Sequence, residues 1–269
     1  MNYLQRLFAY PGKITGLTKL GSSWRDKLSL AIYYIWFTVK KTLGLKTVFK
    51  RSQAVRISAF GRSAKILISG QLDFDVYQDT FLSQEYALVL PEDPSVIVDL
   101  GSNIGATVIY FALRYPSAKI YAFEPDPDNL KILRANVSAF GNRVTVIDRA
   151  IWSQADQVLK FHQVKGSHWS SSLYARSGET QTTEVMTETL DRFMERHGLN
   201  RIDLLKFDIE GAEYEVFESF KRLNDVSVAI GELHPRLMSK TVQEFISLFT
   251  DHSSVYRDPI LTLTRKKTQ

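Results

Sequence analysis

The chain has 269 residues, of which 44% are hydrophobic, and it carries 34 Lys and Arg against 29 Asp and Glu. This length and apolar content support one good core with an appendage and exclude two full enzyme domains. No cysteine is present, which excludes disulfides, thiolate metal sites and reactions through a cysteine nucleophile.

The amino-terminal arm, residues 1–53, is basic. It holds ten Lys and Arg and one acidic residue, Asp26, whereas residues 54–269 hold the other 24 Lys and Arg and 28 Asp and Glu. Within the arm, Leu28–Val39 (LSLAIYYIWFTV) is mostly apolar and is flanked by lysines. This stretch is too short to span a bilayer, which needs about 20 residues, and it lacks the cleavage site of a signal peptide.

Three interpretations of the arm are open. The arm docks on the body of the protein or on a sister subunit, or it forms an interfacial helix whose lysines meet anionic lipid headgroups. Nucleic-acid binding is the third interpretation and is not expected. We expect a cytoplasmic location, which under the second interpretation becomes peripheral at the inner face of the membrane.

Residues 54–95 are predicted to lead from the arm into the main domain. The segments VRISAF and AKILIS alternate between apolar and polar residues, which predicts two strands joined at Gly61-Arg62. A helix is predicted at Asp75–Tyr86.

In residues 96–269, strands alternate with helices, a pattern typical of a doubly wound, parallel α/β sheet. The core strands are predicted at Val96–Leu100, Ile120–Phe123, Val144–Ile147, Leu204–Asp208 and Val226–Leu233. The helices are predicted at Ala106–Arg114, Pro127–Phe140, Glu213–Lys221 and Thr241–Phe249. Ser254–Thr264 is predicted to add terminal strands, with LTLTR at an edge.

The first core strand ends in a glycine loop. In VIVDLGSNIG, Asp99 lies at the strand end and is followed by Gly101 and Gly105. Asp99 is expected to fix the loop or to accept from an ammonium group of the ligand. This spacing lacks the second early glycine with which a GxGxxG loop approaches a pyrophosphate, so it disfavours a dinucleotide. A cofactor with ribose and adenine but no phosphate fits better, and S-adenosylmethionine is the obvious candidate.

The predicted cofactor site extends beyond the two glycines. Ser102 and Asn103 complete the loop, and Glu124, followed by Pro125, ends the second strand. A carboxylate at this place can accept both ribose hydroxyls. Asp148, after the third strand, is expected either to accept from the adenine amino group or to lie on the surface. A plain strand-to-helix turn is the competing interpretation of the loop, and Glu124 disfavours it.

Polar side chains mark the ends of the last two core strands. Lys206, Asp208 and Glu210 alternate along one strand, and Glu232 and His234 along the next. Residues two apart share a face of a strand, and ligands bind outside the carboxyl ends of parallel strands. If the two strands are neighbours, as the family resemblance described below implies, these side chains converge on the reacting groups.

If the methyl group of such a cofactor goes to a hydroxyl, as the family resemblance described below implies, the reaction needs a base that takes the hydroxyl proton. His234 is the first candidate, because its ordinary pKa lies near neutrality, and Asp208 is the second. Lys206 is expected to hold Asp208 or Glu210 ionised, or to position the acceptor oxygen. A strand-end cap at His234 and a buried ion pair at Lys206 are the structural alternatives.

The same side chains also suit a metal ion. Asp208, Glu210, Glu232 and His234 form an oxygen-rich set with one imidazole, which is compatible with Mg²⁺ or Mn²⁺. We do not expect a metal, because carboxylates at strand ends commonly bind substrate hydroxyls.

Several motifs together resemble the FkbM-type methyltransferases. Lys206–Glu213 (KFDIEGAE) is similar to the K-x-D-x-E-G-x-E signature of that family. The other matches, in the expected order, are DLGSNIG at Asp99–Gly105, FEP at Phe123–Pro125, TLD at Thr189–Asp191 and ELH at Glu232–His234. The resemblance covers roughly residues 75–234.

This resemblance implies a class I, Rossmann-like fold, to which the basic arm adds a helical and β-strand extension. It also implies S-adenosylmethionine-dependent methylation of a hydroxyl on a sugar, a glycolipid, a lipid-linked glycan or a related small molecule.

Two other functions are open. An RNA methyltransferase would use the basic arm, but Asp208–Gly211 stands where base-amino methylation usually shows an Asn/Asp-Pro-Pro-aromatic loop. A noncatalytic scaffold is the other, and the cofactor motifs argue against it.

Overall fold

The computed structural model describes residues 15–42, 52–164 and 180–266. Its helices are α1 (Trp24–Thr42), α2 (Gln71–Phe81), α3 (Ala106–Arg114), α4 (Pro127–Val137), α5 (Leu190–Arg196), α6 (Glu213–Ser219) and α7 (Val242–Ser247). Its strands are β1 (Gln53–Ala59), β2 (Arg62–Ile68), β3 (Val96–Leu100), β4 (Lys119–Phe123), β5 (Val144–Ile147), β6 (Ala150–Ile151), β7 (Val158–Val164), β8 (Thr180–Glu188), β9 (Ile202–Phe207), β10 (Val226–Glu232), β11 (His252–Arg257) and β12 (Ile260–Arg265).

The main sheet has seven strands in the order β11-β12-β10-β9-β3-β4-β5. The strands from β10 to β5 run parallel, and β12 is antiparallel to both of its neighbours. The chain order reverses between β9 and β3, which is where open α/β sheets bind their ligands. The predicted doubly wound α/β sheet is confirmed.

Each face of this sheet is covered by its own hydrophobic cluster. Ile97 and Leu204 belong to one cluster, and the next residue along each strand, Val98 and Leu205, belongs to the other. Successive side chains of a strand point to opposite faces. Strands covered on both sides read as continuous apolar runs, which explains why VIVDL is almost wholly apolar.

The amino-terminal elements share the first of these clusters. Leu30 and Tyr34 of α1, Ile57 of β1 and Phe74 of α2 are buried in it together with Ile109 of α3. β1 and β2 form an antiparallel hairpin, as the alternation predicts, and its turn lies at residues 60–61. The domain boundaries at residues 53 and 95 remain a proposal.

Several predicted bounds need correction. α2 begins four residues before the predicted helix because the Asp73 carboxylate accepts from the backbone N–H groups of Ser69 and Gly70 and so caps an earlier first turn. The LTLTR segment belongs to β12, which lies inside the sheet, and β11 is the edge strand. A second sheet, β6-β8-β7, lies between β5 and β9 in the chain and was not predicted.

Candidate active site

The glycine loop turns sharply between β3 and α3. Gly101 has φ +76° and Gly105 has φ +91°, both in the left-handed region. A Cβ on Gly101 would lie 1.9 Å from the carbonyl oxygen of Asp208, and one on Gly105 would lie 2.7 Å from the side chain of Leu133. The two glycines therefore let the loop lie directly against the end of β9 and against α4.

A first cavity, here called the cofactor cavity, opens beside this loop. Its lining includes Gly101, Asn103, Glu124, Pro125 and Phe161. Glu124 is buried and accepts hydrogen bonds from the backbone N–H groups of Asn103 (2.7 Å) and Asp126 (2.8 Å). Burial raises the pKa of Glu124 to about 7. Each carboxylate oxygen keeps further acceptor capacity, so the site suits a ribose diol.

Other predicted cofactor residues have different surroundings. Asp99 is fully buried, accepts from the hydroxyl of Thr107 and does not line the cofactor cavity. The Ser102 hydroxyl donates to the Asp99 carbonyl at 3.0 Å. Asp148 is not among the lining residues either, because its carboxylate pairs with exposed Arg134 at 2.9 Å. A cofactor role for Asp148 stays a prediction.

Lys206 ties the glycine loop to β9. Its buried Nζ lies 3.1 Å from Asp99 Oδ1 and donates to the carbonyl of Gly101 at 2.8 Å. It also lies 5.4 Å from the ring centre of Tyr86. Burial lowers the pKa of Lys206, but Asp99 and Asp208 outweigh that effect and raise it. Lys206 is therefore a charged, positioning side chain beneath the loop.

A second cavity, here called the acceptor cavity, has a volume of about 350 Å³. Asp79 and Thr80 of α2 line one side, and Glu85 and Tyr86, which follow α2, line another. Val76 of α2 and the first two residues of α3 also line it, and the other lining residues come from the glycine loop and the ends of β9 and β10. The two cavities share Gly101, Asn103, Asp208 and Glu210. They therefore meet where β9 ends.

His234 lies among four carboxylates in this region. Its Nδ1 is 2.8 Å from Oε1 of buried Glu213. Its Nε2 is 3.4 Å from Glu210, 3.7 Å from Glu232 and 3.8 Å from Asp208. The structure thus brings together the polar side chains that the sequence placed at the two strand ends.

The surroundings of His234 and Glu232 shift the pKa values of both side chains. Burial lowers the pKa of His234, but the hydrogen bond to Glu213 and the charge of Asp208 outweigh it and raise the pKa to about 9. Burial and Asp208 raise the pKa of Glu232 to about 7. At neutral pH His234 is an imidazolium beside carboxylates. Ligand atoms of Asp208, Glu210 and His234 also lie within 4.8 Å of one another. A metal ion held by these three residues and Glu232 stays a prediction.

Sequence reasoning missed part of this site. Glu213 belongs to the family signature, yet its hydrogen bond to His234 required the fold. Glu85 and Tyr86 carried no motif at all, because only the packing of α2 brings them to the cavity. The segment VLKFHQV, which forms β7, alternates in part between apolar and polar residues. That alternation could have predicted the strand that brings Phe161 to the cofactor cavity.

The fold and site together define a class of protein. A parallel core with one antiparallel strand near its edge, a glycine loop after the first core strand and a carboxylate ending the second are the arrangement of a class I, Rossmann-like methyltransferase. The family model described as the methyltransferase FkbM domain matches residues 99–256, more than half of the chain. The chain belongs to this family of S-adenosylmethionine-dependent methyltransferases, and the predicted resemblance is confirmed.

Named relatives are similar to part of this chain. The AMB antimetabolite synthetase AmbE of Pseudomonas aeruginosa is 29% identical over 180 residues, which cover 52% of this chain and 8% of AmbE. The 2-O-methyltransferase NoeI of Sinorhizobium fredii is 30% identical over 153 residues, covering 51% of this chain and 62% of NoeI. The matches thus span less than two thirds of either relative. A solved methyltransferase FkbM from Methylobacillus flagellatus has a TM-score of 0.46 at 12% identity, over 96% of this chain and 60% of that one.

Proposed function

We propose that this protein transfers the methyl group of S-adenosylmethionine to a hydroxyl oxygen of a neutral sugar or glycan. One observation carries the proposal: a cavity lined by the buried carboxylate of Glu124 joins a second cavity lined with hydrogen-bond acceptors. The name of NoeI, a 2-O-methyltransferase, supports an oxygen acceptor.

The cofactor cavity provides the contacts that such a cofactor needs. Glu124 would hold the ribose hydroxyls, and Ile151 and Phe161 offer apolar surface to the adenine. Gly101 would let the backbone approach the methionine end, because a side chain there has no room. When bound, the cofactor supplies an electrophilic methyl group and leaves as a neutral thioether, so the protein needs no acid.

The acceptor must lose its proton during the transfer, and the cluster around His234 offers the base. Our sequence prediction ranks His234 first, but an imidazolium with a pKa of about 9 has no free lone pair at neutral pH. We therefore propose that Glu232 accepts the proton of the acceptor hydroxyl, because its pKa of about 7 suits a general base. Asp208 is the second candidate, and Glu210 and His234 position these carboxylates.

The charge of the acceptor cavity selects the substrate class. Five carboxylates line it, against Lys206 and His234; they are Asp79, Glu85, Asp208, Glu210 and Glu232. Burial, with the charges of Asp79 and Asp208, raises the pKa of Glu85, as expected among like charges. Carboxylates accept from hydroxyl groups and repel phosphates and uronates, so a neutral polyol or glycan fits best. The same repulsion disfavours RNA as the acceptor.

Binding tests the first half of this proposal. We expect S-adenosylhomocysteine, but not NAD, to bind the wild-type chain in calorimetric titration. Glu124→Gln should weaken that binding by about tenfold or more, because charged hydrogen bonds contribute ~1.5–3 kcal/mol. Glu195→Gln, at an exposed carboxylate on α5, is the matched control and should change it little. Absence of S-adenosylhomocysteine binding to wild type would reject the proposal in favour of a scaffold.

Turnover tests the second half. With radiolabelled S-adenosylmethionine, neutral methyl glycosides should accept label on oxygen, and the corresponding uronates should not. Activity that survives EDTA would support the proton-transfer scheme without a metal. Activity that EDTA abolishes and Mg²⁺ or Mn²⁺ restores would instead support a metal on Asp208, Glu210, Glu232 and His234. Transfer to RNA alone would refute the glycan acceptor.

A further inference from the structure

Helix α1 has two apolar faces, and one of them packs against the described body of the protein. Leu30 and Tyr34 are buried in the core cluster, and Tyr33 and Phe37 pack against it. Of the eleven large apolar side chains exposed in the described residues, six lie on α1. They are Trp24 (69% exposed), Leu28 (52%), Ile32 (52%), Ile35 (50%), Trp36 (42%) and Val39 (43%).

These exposed side chains form one stripe. Their spacings of three and four residues place them on a single side of the helix. The buried residues Leu30 and Tyr34 and the half-buried Phe37 follow the same spacing on the opposite side. Single exposed apolar residues are ordinary, whereas a contiguous apolar surface marks an interaction site. We call the residues from Trp24 to Val39 on this side the α1 stripe.

The charge around the α1 stripe identifies its partner. Arg25 and Lys27, in the first turn of α1, are exposed beside it. The only acidic residue of the arm, Asp26, accepts from the backbone N–H groups of Ser23 and Arg56, so it is occupied in fixing the helix to β1. The surface is thus apolar in the middle and cationic at its border, the pattern that fits anionic lipid headgroups.

A second copy of the chain fits this surface less well. A twofold dimer through the α1 stripe would bring two arms with ten Lys and Arg each close together. Like charges at such an interface oppose association. No helix among the described residues is long and apolar enough to cross a bilayer, so a lipid contact of α1 lies along the surface.

We propose that the α1 stripe binds the surface of an anionic lipid bilayer. This proposal is independent of the proposed reaction, but it places α1 usefully for it. The rings of Tyr34 and Phe37 lie 5.5 Å and 6.1 Å from the ring of Phe74 in α2. Because α2 also supplies Asp79 and Thr80 to the acceptor cavity, the membrane-binding helix packs on a wall of that cavity.

Vesicle flotation of the full chain tests the proposal. The chain should float with vesicles of phosphatidylcholine and phosphatidylglycerol, float much less with phosphatidylcholine alone, and dissociate as salt is raised. Ile32→Ser with Ile35→Ser should reduce binding by about tenfold or more, because two apolar side chains no longer enter the interface. Val255→Ser, which changes an equally exposed apolar residue on β11, should bind like wild type.

Four results would overturn it. Wild type could fail to float with the anionic vesicles, or the double variant could float as well as wild type. Wild type could sediment as a dimer that the double variant converts to a monomer, which would identify a second copy as the partner. The double variant could lower the melting temperature by several degrees, which would mean that the chain itself covers the stripe. Binding of S-adenosylhomocysteine should be the same in all three proteins.

Discussion

The cofactor cavity and the acceptor cavity meet at the end of β9, yet they are built differently. The cofactor cavity depends on backbone shape, two glycines and one buried carboxylate, which lie in short motifs on consecutive strands. The acceptor cavity depends on ionisable side chains from α2, the segment after it, β9 and β10. A sequence motif can therefore specify the first cavity, whereas the second exists only once distant elements have packed.

This contrast predicts that substitutions in the acceptor cavity change turnover without changing cofactor affinity. Glu232→Gln should lower kcat by ~10²–10⁴-fold, the usual contribution of a general base, and leave the dissociation constant of S-adenosylhomocysteine almost unchanged. Steady-state kinetics and calorimetry measure the two effects. Thr80→Ser, a conservative change in the same cavity, should retain most of the activity. If Glu232→Gln lowered kcat and cofactor affinity equally, the two cavities would not act independently.

The pH profile distinguishes the two candidate bases. Because the deprotonated carboxylate is the active form of Glu232, kcat/KM should rise with pH through about 7. If His234 were the base, the rise would occur near 9. An inflection near 9 that persists in Glu232→Gln would return the role to His234.

Lys206→Met should destabilise both cavities at once. The substitution leaves Asp99 buried without its cation, a change that costs about 3–5 kcal/mol in the free energy of unfolding. Urea denaturation measures this loss. The control is Lys131→Met, because the ion pair of Lys131 with Asp128 is exposed and should contribute little. If the two variants were equally stable, Lys206 would not be a structural cation.

Gly101→Ala should break the contact between the loop and β9. Its Cβ would overlap the carbonyl oxygen of Asp208, so the loop must move, and we expect S-adenosylhomocysteine binding to fall by tenfold or more with a loss of ~2–4 kcal/mol in stability. Gly198→Ala is the control. It also has a positive φ, but no atom lies within 4 Å of its Cβ, so only the ~1 kcal/mol of backbone strain applies. If Gly198→Ala weakened cofactor binding as much as Gly101→Ala, the close contact between Gly101 and Asp208 would not be what shapes the loop.

The smallest expected effect is on pH-dependent stability. The pKa of His234 is raised in the folded protein, so its contribution is fully present below the unfolded value of 6.5 and is lost as pH rises through about 9. The difference in unfolding free energy between wild type and His234→Asn should therefore be largest below about pH 6. It should decrease by ~1–2 kcal/mol in total as the pH rises above that value. A difference that grew with pH would mean that His234 is neutral in the folded protein.

The sequence predicted the elements that carry strong local signals. The apolar runs of β3, β4, β9 and β10 identified the sheet, because strands covered on both faces are apolar throughout. The spacing of charged residues two apart at the ends of β9 and β10 grouped the side chains that surround His234. These features depend on residues close together in the chain.

The remaining features depend on packing between distant residues. The start of α2 depends on the carboxylate of Asp73, and the walls of the acceptor cavity depend on where α2 lies. The pKa of His234 depends on Glu213 and Asp208, which reach it from α6 and from the end of β9. A residue type alone indicates an ordinary pKa, so the sequence favoured His234 as a base where the fold makes it a cation.

Lys206 has a further consequence for the order of events in catalysis. Its ammonium group joins the loop that would hold the cofactor to the strand end that would hold the acceptor, so a shift on one side is transmitted to the other. The acceptor cavity should be complete only when the loop has closed on its ligand. We therefore expect a compulsory order, in which S-adenosylmethionine enters first and S-adenosylhomocysteine leaves last.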